Sequence, residues 1–217
     1  GSMRRTVVEW PGTPYTQPSE PSTPPSHLSW PMSGSASMRC ATGGPSSLLP
    51  AWMIGRNPKL KIIQTTHTGE LAIRFGRKAK TLMDSDEYKQ VFETRLREDS
   101  QAAGRWETAQ GGEYFASGVG GAITGRGADL LIIDDPHSEQ DALSPKSLES
   151  AYEWYTSGPR QRLQPGGIIV IVMTRWSTKD LVGKVLKKQG DDNADQWEVV
   201  EFPAILNDEP MWPEFWK

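Results

Sequence analysis

Two short all-apolar runs, each ending in residues that can do chemistry, constrain this chain more than any other feature. Leu130 to Ile133 is followed by Asp134-Asp135-Pro136, and Ile168 to Met173 by Thr174-Arg175-Trp176. A strand with one wet face alternates apolar and polar residues, so runs without alternation belong in mid-sheet strands covered on both faces. Lys61 to Thr66 (KIIQTT) reads as a third strand, and Gly69 to Lys80 as a helix with a basic outer face. Arg105 to Ser117 alternates around Gly111-Gly112, as a hairpin does whose turn needs positive φ. Ser144 is placed to cap a helix with Pro145 at its first position, and Pro165-Gly166-Gly167 turns the chain into the second apolar run. A last helix is expected over Thr178 to Lys188. Alternating strand and helix units imply an α/β fold with a mainly parallel sheet. Sites in such folds lie at the carboxyl ends of the strands.

Asp134 and Asp135 leave the sheet at that edge. In a nucleotide hydrolase the first carboxylate of such a pair holds Mg²⁺ and the second orients or deprotonates the attacking water. Strand alternation would point the two carboxyls to opposite sides and let them work separately. The plainer reading is a strand that ends in Asp and Pro, both common there. Thr174 and Arg175 would bring a hydroxyl and a guanidinium to the same edge, where they can meet a γ-phosphate or the lytic water, or simply close a strand. Gly118 to Gly127 holds five glycines around Arg126. That is what an arginine finger requires, and equally what a mobile surface loop looks like.

Composition narrows the field. A net charge of −3 rules out a general basic coat for nucleic acid, so any DNA contact must be a local patch. Cys40 is the single cysteine, which excludes an internal disulfide and any multi-cysteine metal cluster. The longest apolar run is strand-sized, so no membrane span is expected. His67 and His137 lack metal-site spacing and are expected as solvated loop residues. The scattered tryptophans Trp52, Trp106, Trp154, Trp176, Trp197 and Trp212 suit core packing better than base stacking. Lys179, Lys184, Lys187 and Lys188 suit a solvated helix face better than a phosphate contact.

Taken together, QGGEYFASGVGGAITGRGADLLIIDDP, then WYTSGPRQRLQPGGIIVIVMTRWSTKDLVGKVL, then FPAIL resemble the ATPase domain of phage terminase large subunits. The resemblance covers roughly Leu48 to Lys217. It implies a RecA-like ASCE P-loop fold over residues 48 to 210 that binds ATP and Mg²⁺. Leu130 to Asp135 would be the Walker B strand, with Asp134 for the metal and Asp135 in place of the more usual catalytic Glu. Thr174 would be the coupling residue and Arg175 its neighbour on the nucleotide. Arg126 would reach into an adjacent subunit's site. The implied partners are double-stranded DNA, the portal protein, a small terminase subunit and further copies in a ring, working in the host cytoplasm and transiently at the portal vertex of a procapsid. Residues 211 to 217 (MWPEFWK) resemble the start of a linker to a nuclease domain.

Residues 1 to 47 do not fit that pattern. Nine of the seventeen prolines fall in the first fifty residues, and the stretch reads as an irregular coil. A motor of this kind needs a glycine-rich loop with a lysine ahead of a helix that opens with Ser or Thr. No lysine precedes Lys59, and Met38 to Ser47 (MRCATGGPSS) occupies the place. Back-translated and read one base out of phase, that stretch can give Asn-Ala-x-Arg-His-Gly-Arg-Ser-Glu-Phe, close to the Arg-His-Gly-Lys-Ser-Glu loop of relatives. The hypothesis is a shifted reading frame through the N-terminal part. Sequencing the coding DNA is expected to reveal a Gly-Lys-Ser/Thr loop in another frame; two alternative frames without one would sink the idea.

Overall fold

The computed structural model describes residues 4–10, 45–123, 125–192, 194–201, 205–206 and 208–210. The expected strands and helices are present. Strand β1 (Arg4–Trp10) is followed by α1 (Pro45–Arg56), β2 (Lys61–Thr66), α2 (Gly69–Asp84) and α3 (Asp86–Val91). A meander β3 (Leu96–Ala102), β4 (Arg105–Thr108) and β5 (Glu113–Gly118) leads to β6 (Ala128–Asp134), α4 (Glu139–Ala142) and α5 (Pro145–Ser157). Then come β7 (Leu163–Thr174), α6 (Leu181–Lys187), β8 (Gln196–Glu201) and a small pair, β9 (Ile205–Leu206) with β10 (Glu209–Pro210).

Eight strands form one sheet in the order β3-β4-β5-β2-β6-β7-β1-β8. Those from β5 to β8 in this order run parallel, while β3 and β4 pair antiparallel. The Gly111 turn of the expected β4–β5 hairpin has φ +93°. Helices cover both faces of this mixed α/β sheet. Ile62, Leu130 and Ile132 face a cluster that includes Ala51 and Ile54 of α1 and Ala79 and Met83 of α2. Ile63, Leu131, Ile133, Ile169, Ile171 and Met173 face Tyr155 of α5 and Leu181, Val182 and Val185 of α6. Each fully buried Ile or Leu contributes roughly 1.5–3 kcal/mol, so this two-sided burial fixes where every strand end lies. No helix among the described residues is long and apolar enough to cross a membrane.

Two expectations are corrected. The coil reading of residues 1 to 47 fails at both ends, since Arg4–Trp10 is a strand between β7 and β8 and α1 begins at Pro45. The strand occupies the proline-free residues and stops just before Pro11, which has no N–H to donate to a sheet ladder. The last helix starts at Leu181 rather than Thr178, because Asp180 caps it by accepting from the Gly183 amide at 2.8 Å. Ser144 does cap α5, accepting from the Ser147 amide at 3.2 Å with Pro145 in the first turn.

Helix α1 contains Pro50, which cannot donate to the carbonyl of Ser46 four residues back. The buried side chain of Gln64 on β2 takes over. Its Nε2 donates to Ser46 O at 2.9 Å, and its Oε1 accepts from the Tyr114 hydroxyl at 3.0 Å. Tyr114 stacks on Trp106 with centroids 4.8 Å apart, and the Trp106 indole donates to Gly76 O of α2. A Cβ on Gly76 would meet Ala103 O at 2.5 Å and the Tyr114 ring at 2.6 Å, so only glycine lets α2 lie this close. Gln64→Ala strips two buried groups of their partners and is expected to cost about 2–4 kcal/mol in urea unfolding. A cost below about 0.5 kcal/mol would show that the amide does not tie α1 to the sheet.

Candidate functional site

The carboxyl ends of β2, β6 and β7 converge on Asp134 and Asp135. Asp134 is the last residue of β6, is 8% exposed and lies opposite Thr66 and Val172. It lies toward α1, where the Ser46 side chain is close enough to favour its charged form. Burial pushes this carboxyl up to about 6; the Ser46 hydrogen bond opposes that, the charge of Asp135 adds to it, and His67 opposes it weakly. Tyr114 is raised far above the usual phenol range by burial and by the same Asp134 charge.

Asp135 lies beyond the strand with φ +41°, a conformation that non-glycine residues seldom adopt. It is held from three sides. Its amide donates to Val172 O at 2.8 Å, its carbonyl accepts from the His67 amide at 3.1 Å, and its Oδ1 accepts from the Thr174 amide at 3.1 Å. Asp135 follows the last strand residue, and its charge adds to the resistance that Asp134 meets on ionising. A strained backbone kept by this many bonds is typical of sites where a side chain must be aimed.

The structure brings Asp134, Asp135 and the backbone of Thr174 together, and leaves two other expected site residues elsewhere. Arg126 precedes β6 at the amino edge of the sheet, roughly 20 Å of strand away from Asp134. There it pairs with Glu113 at the start of β5, and its guanidinium lies 4.2 Å above the Phe115 ring. Arg175 donates from Nε to Asp180 at 3.0 Å and from a terminal nitrogen to Ser177 O. Asp180 is fully buried and also accepts from the amides of Trp176, Ser177 and Gly183. Arg175 thus braces the loop before α6 and is not free to meet a phosphate.

Sequence reasoning missed Ser46, Gln64 and Tyr114. A glutamine inside an apolar strand was the available signal, since a buried amide must find partners. His137 is also not the solvated residue expected: it is 4% exposed and its Nε2 accepts from the Leu181 amide at 3.1 Å. The lysines of α6 are partly engaged, Lys184 with Glu149, and both Lys184 and Lys188 over the Tyr152 ring. Trp106 and Trp197 pack in the core, whereas Trp52 and Trp176 are exposed.

Oxygen donors of this kind suit a hard cation. Mg²⁺ is commonly held by one or two carboxylates with water and substrate phosphates completing its shell. Asp134 and the Ser46 hydroxyl fit that pattern, and among the described residues no cluster of three His, Cys, Asp or Glu offers a closed all-protein cage.

No protein-family model matches this chain, and no curated protein does. Among solved structures, the large terminase of bacteriophage HK97 is similar at 12% identity and a TM-score of 0.44, over 76% of this chain and 34% of that one. This chain thus spans about a third of the length of that protein.

The raised Asp134 carboxyl has a measurable consequence. Its ordinary value is 3.8, and each pH unit up to about 6 corresponds to ~1.4 kcal/mol, so ionising it costs the fold roughly 2–3 kcal/mol. The cost is absent well below pH 3.8, where both states are protonated, and complete well above pH 6, where both are charged. Asp134→Asn keeps an acceptor for Ser46 and is expected to unfold later than the native chain at pH 7.5 without divalent ions, by about that amount. The advantage should shrink to about 0.5 kcal/mol near pH 4 and vanish below that. An equal or less stable variant at pH 7.5 would contradict the assignment.

Proposed function

We propose that this chain is the ATPase motor domain of a terminase-type large subunit, which couples ATP hydrolysis to movement of double-stranded DNA into a procapsid. Its grip on the triphosphate is impaired. The observation that carries this reading is the meeting of Ser46, at the start of α1, with the buried Asp134 at the end of β6. In a P-loop hydrolase a hydroxyl opening the first helix and the strand-end aspartate share one cation, and here the sequence supplies both. Strand order supports the RecA-like ASCE assignment. β1, which leads toward α1, lies beyond β7 from the acidic strand β6, and β2 lies on the other side of β6.

In this reading Asp134 and Ser46 hold Mg²⁺, which neutralises charge on the phosphates when bound. Asp135 orients the attacking water or takes its proton. The Thr174 amide fixes the Asp135 carboxylate, and so ties the base to the end of β7. Arg126 serves a neighbouring copy in a ring, and portal protein and small subunit are the partners of the assembled motor.

What is missing is the cation and amide nest of the phosphate loop. The residue before Ser46 is Pro45, which offers neither charge nor N–H, and no lysine precedes Lys59. That observation favours a second reading, a nucleotide-silent scaffold of the same fold that binds or assembles only. For the native chain, calorimetry with Mg²⁺·ATP is expected to give a Kd no tighter than about 1 mM, and phosphate release at background. Robust turnover that vanishes in Asp134→Ala would show that the grip is intact.

A further inference from the structure

Two loops meet beside the acidic pair, and two side chains from the first hold two amides at the ends of the second. The first loop is residues 135–138, between β6 and α4, and the second is residues 175–180, between β7 and α6. Asp135 Oδ1 accepts from the Thr174 amide at 3.1 Å, and His137 Nε2 accepts from the Leu181 amide at 3.1 Å. Thr174 and Leu181 flank the second loop, so it is pinned at both ends. Between them Asp180 draws the loop together by accepting from Arg175 and from the Trp176 and Ser177 amides. The loop is thereby braced as a unit, which couples its two anchors.

The anchor at His137 exists only while the ring is neutral. Leu181 opens α6, so its amide has no partner within the helix and depends on His137. Both groups are buried, His137 at 4% exposure and Leu181 at 0%. Because the amide donates, Nε2 carries the lone pair and the ring proton sits on Nδ1. Nδ1 has no partner among the described residues, so the bond to Leu181 is the tie that holds the ring. A second proton would go to Nε2 and set N–H against N–H, with no lone pair left to accept.

The surroundings govern when that proton arrives. Burial holds His137 below its ordinary value of 6.5, and Lys184 of α6 acts the same way. Asp180 before α6, Asp141 of α4 and Asp135 just past β6 act in the opposite direction without cancelling the effect of burial. Lys146 of α5 borders the same cleft as His137. Asp180 and Asp141 already serve as caps of α6 and α4, so they do not stand free to replace the lost bond. With the folded value lowered, the neutral ring supports the fold fully above pH 6.5, and that support falls away as the pH drops below it.

We propose that His137 is an acid-released latch: its neutral ring holds the start of α6 against the loop after β6, and gain of a proton loosens both anchors of the 175–180 loop. His137 is thus a positioning residue for Asp135, acting through that loop and the Thr174 amide. The latch rests on these hydrogen bonds and does not require that Asp134 or Asp135 act on ATP.

Amide hydrogen exchange of the full chain, read residue by residue by NMR at pH 7.5 and pH 5.5 and corrected for intrinsic exchange, tests the latch. The Leu181 amide should lose protection at least about tenfold on acidification and the Thr174 amide should follow, while Ile63 and Leu131 in mid-sheet keep theirs. The fall should track the ring titration of His137, one of three histidines in the chain. His137→Gln keeps an acceptor that cannot titrate, so its Leu181 protection should be the same at both pH values. Asp134→Asn should leave the fall unchanged, which separates the latch from the Asp134 carboxyl that is pushed up to about 6. Leu181 protection that stays flat through the His137 titration overturns the proposal, whether or not the glutamine variant folds. So does an undiminished fall in His137→Gln, or a fall at Leu181 that Thr174 does not share. Joint loss at Leu181, Ile63 and Leu131 also overturns it, because that is unfolding of the whole sheet.

Discussion

One buried amide ties the first helix to the sheet, and the acidic site is built on that tie. Pro50 leaves the Ser46 carbonyl without its helical partner, and Gln64 supplies the missing donor from the middle of β2. Because Gln64 also accepts from Tyr114, the start of α1 is fixed to two strands at once. That position sets the Ser46 hydroxyl against Asp134. A polar chain of this sort is costly unless every member is satisfied, and it specifies one arrangement for the same reason.

The same strand ends serve two sides of the sheet differently. Toward α1, Asp134 is buried and its ionisation is resisted, a poise suited to a group that gains its charge partner only when a cation arrives. Asp135, next along the chain, is turned by its left-handed backbone and held by Thr174. Toward α5, His67 and His137 keep nitrogens without a partner among the described residues. The positive φ of Asp135 and the unpaired His67 and His137 nitrogens thus lie at one edge of the sheet. Stability is given up locally where binding can recover it.

Much of the scaffold was legible in the sequence because burial leaves a periodic trace. The unbroken runs Leu130 to Ile133 and Ile168 to Met173 announced parallel strands covered on both faces, and Ser144-Pro145 announced a helix start. β1 was not legible. Arg4 to Trp10 holds only a short apolar stretch at Val7 and Val8 and is followed at once by Pro11, so its place is set by strand pairing with β7 and β8 rather than by its own pattern. In the site, strand-end logic located Asp134 and Asp135 but could not foresee the positive φ of Asp135. Arg126 shows the limit of reading a glycine-rich loop by composition. Its glycines leave open which edge of the sheet it meets, and Glu113 with Phe115 decides that. Arg175 is similar, since the buried Asp180 that claims it lies five residues on.

The central claim is that a competent cation and water site stands beside a defective phosphate grip. Replacing residues 38–47 with a Gly-Lys-Ser phosphate loop and titrating Mg²⁺·ATP by calorimetry tests it most directly. The account predicts that binding appears with a Kd at least tenfold tighter than the native chain's, that Asp134→Ala removes the gain, and that Asp135→Ala leaves binding but abolishes turnover. A repaired loop that binds no better than the native segment, or a gain indifferent to Asp134, would contradict it.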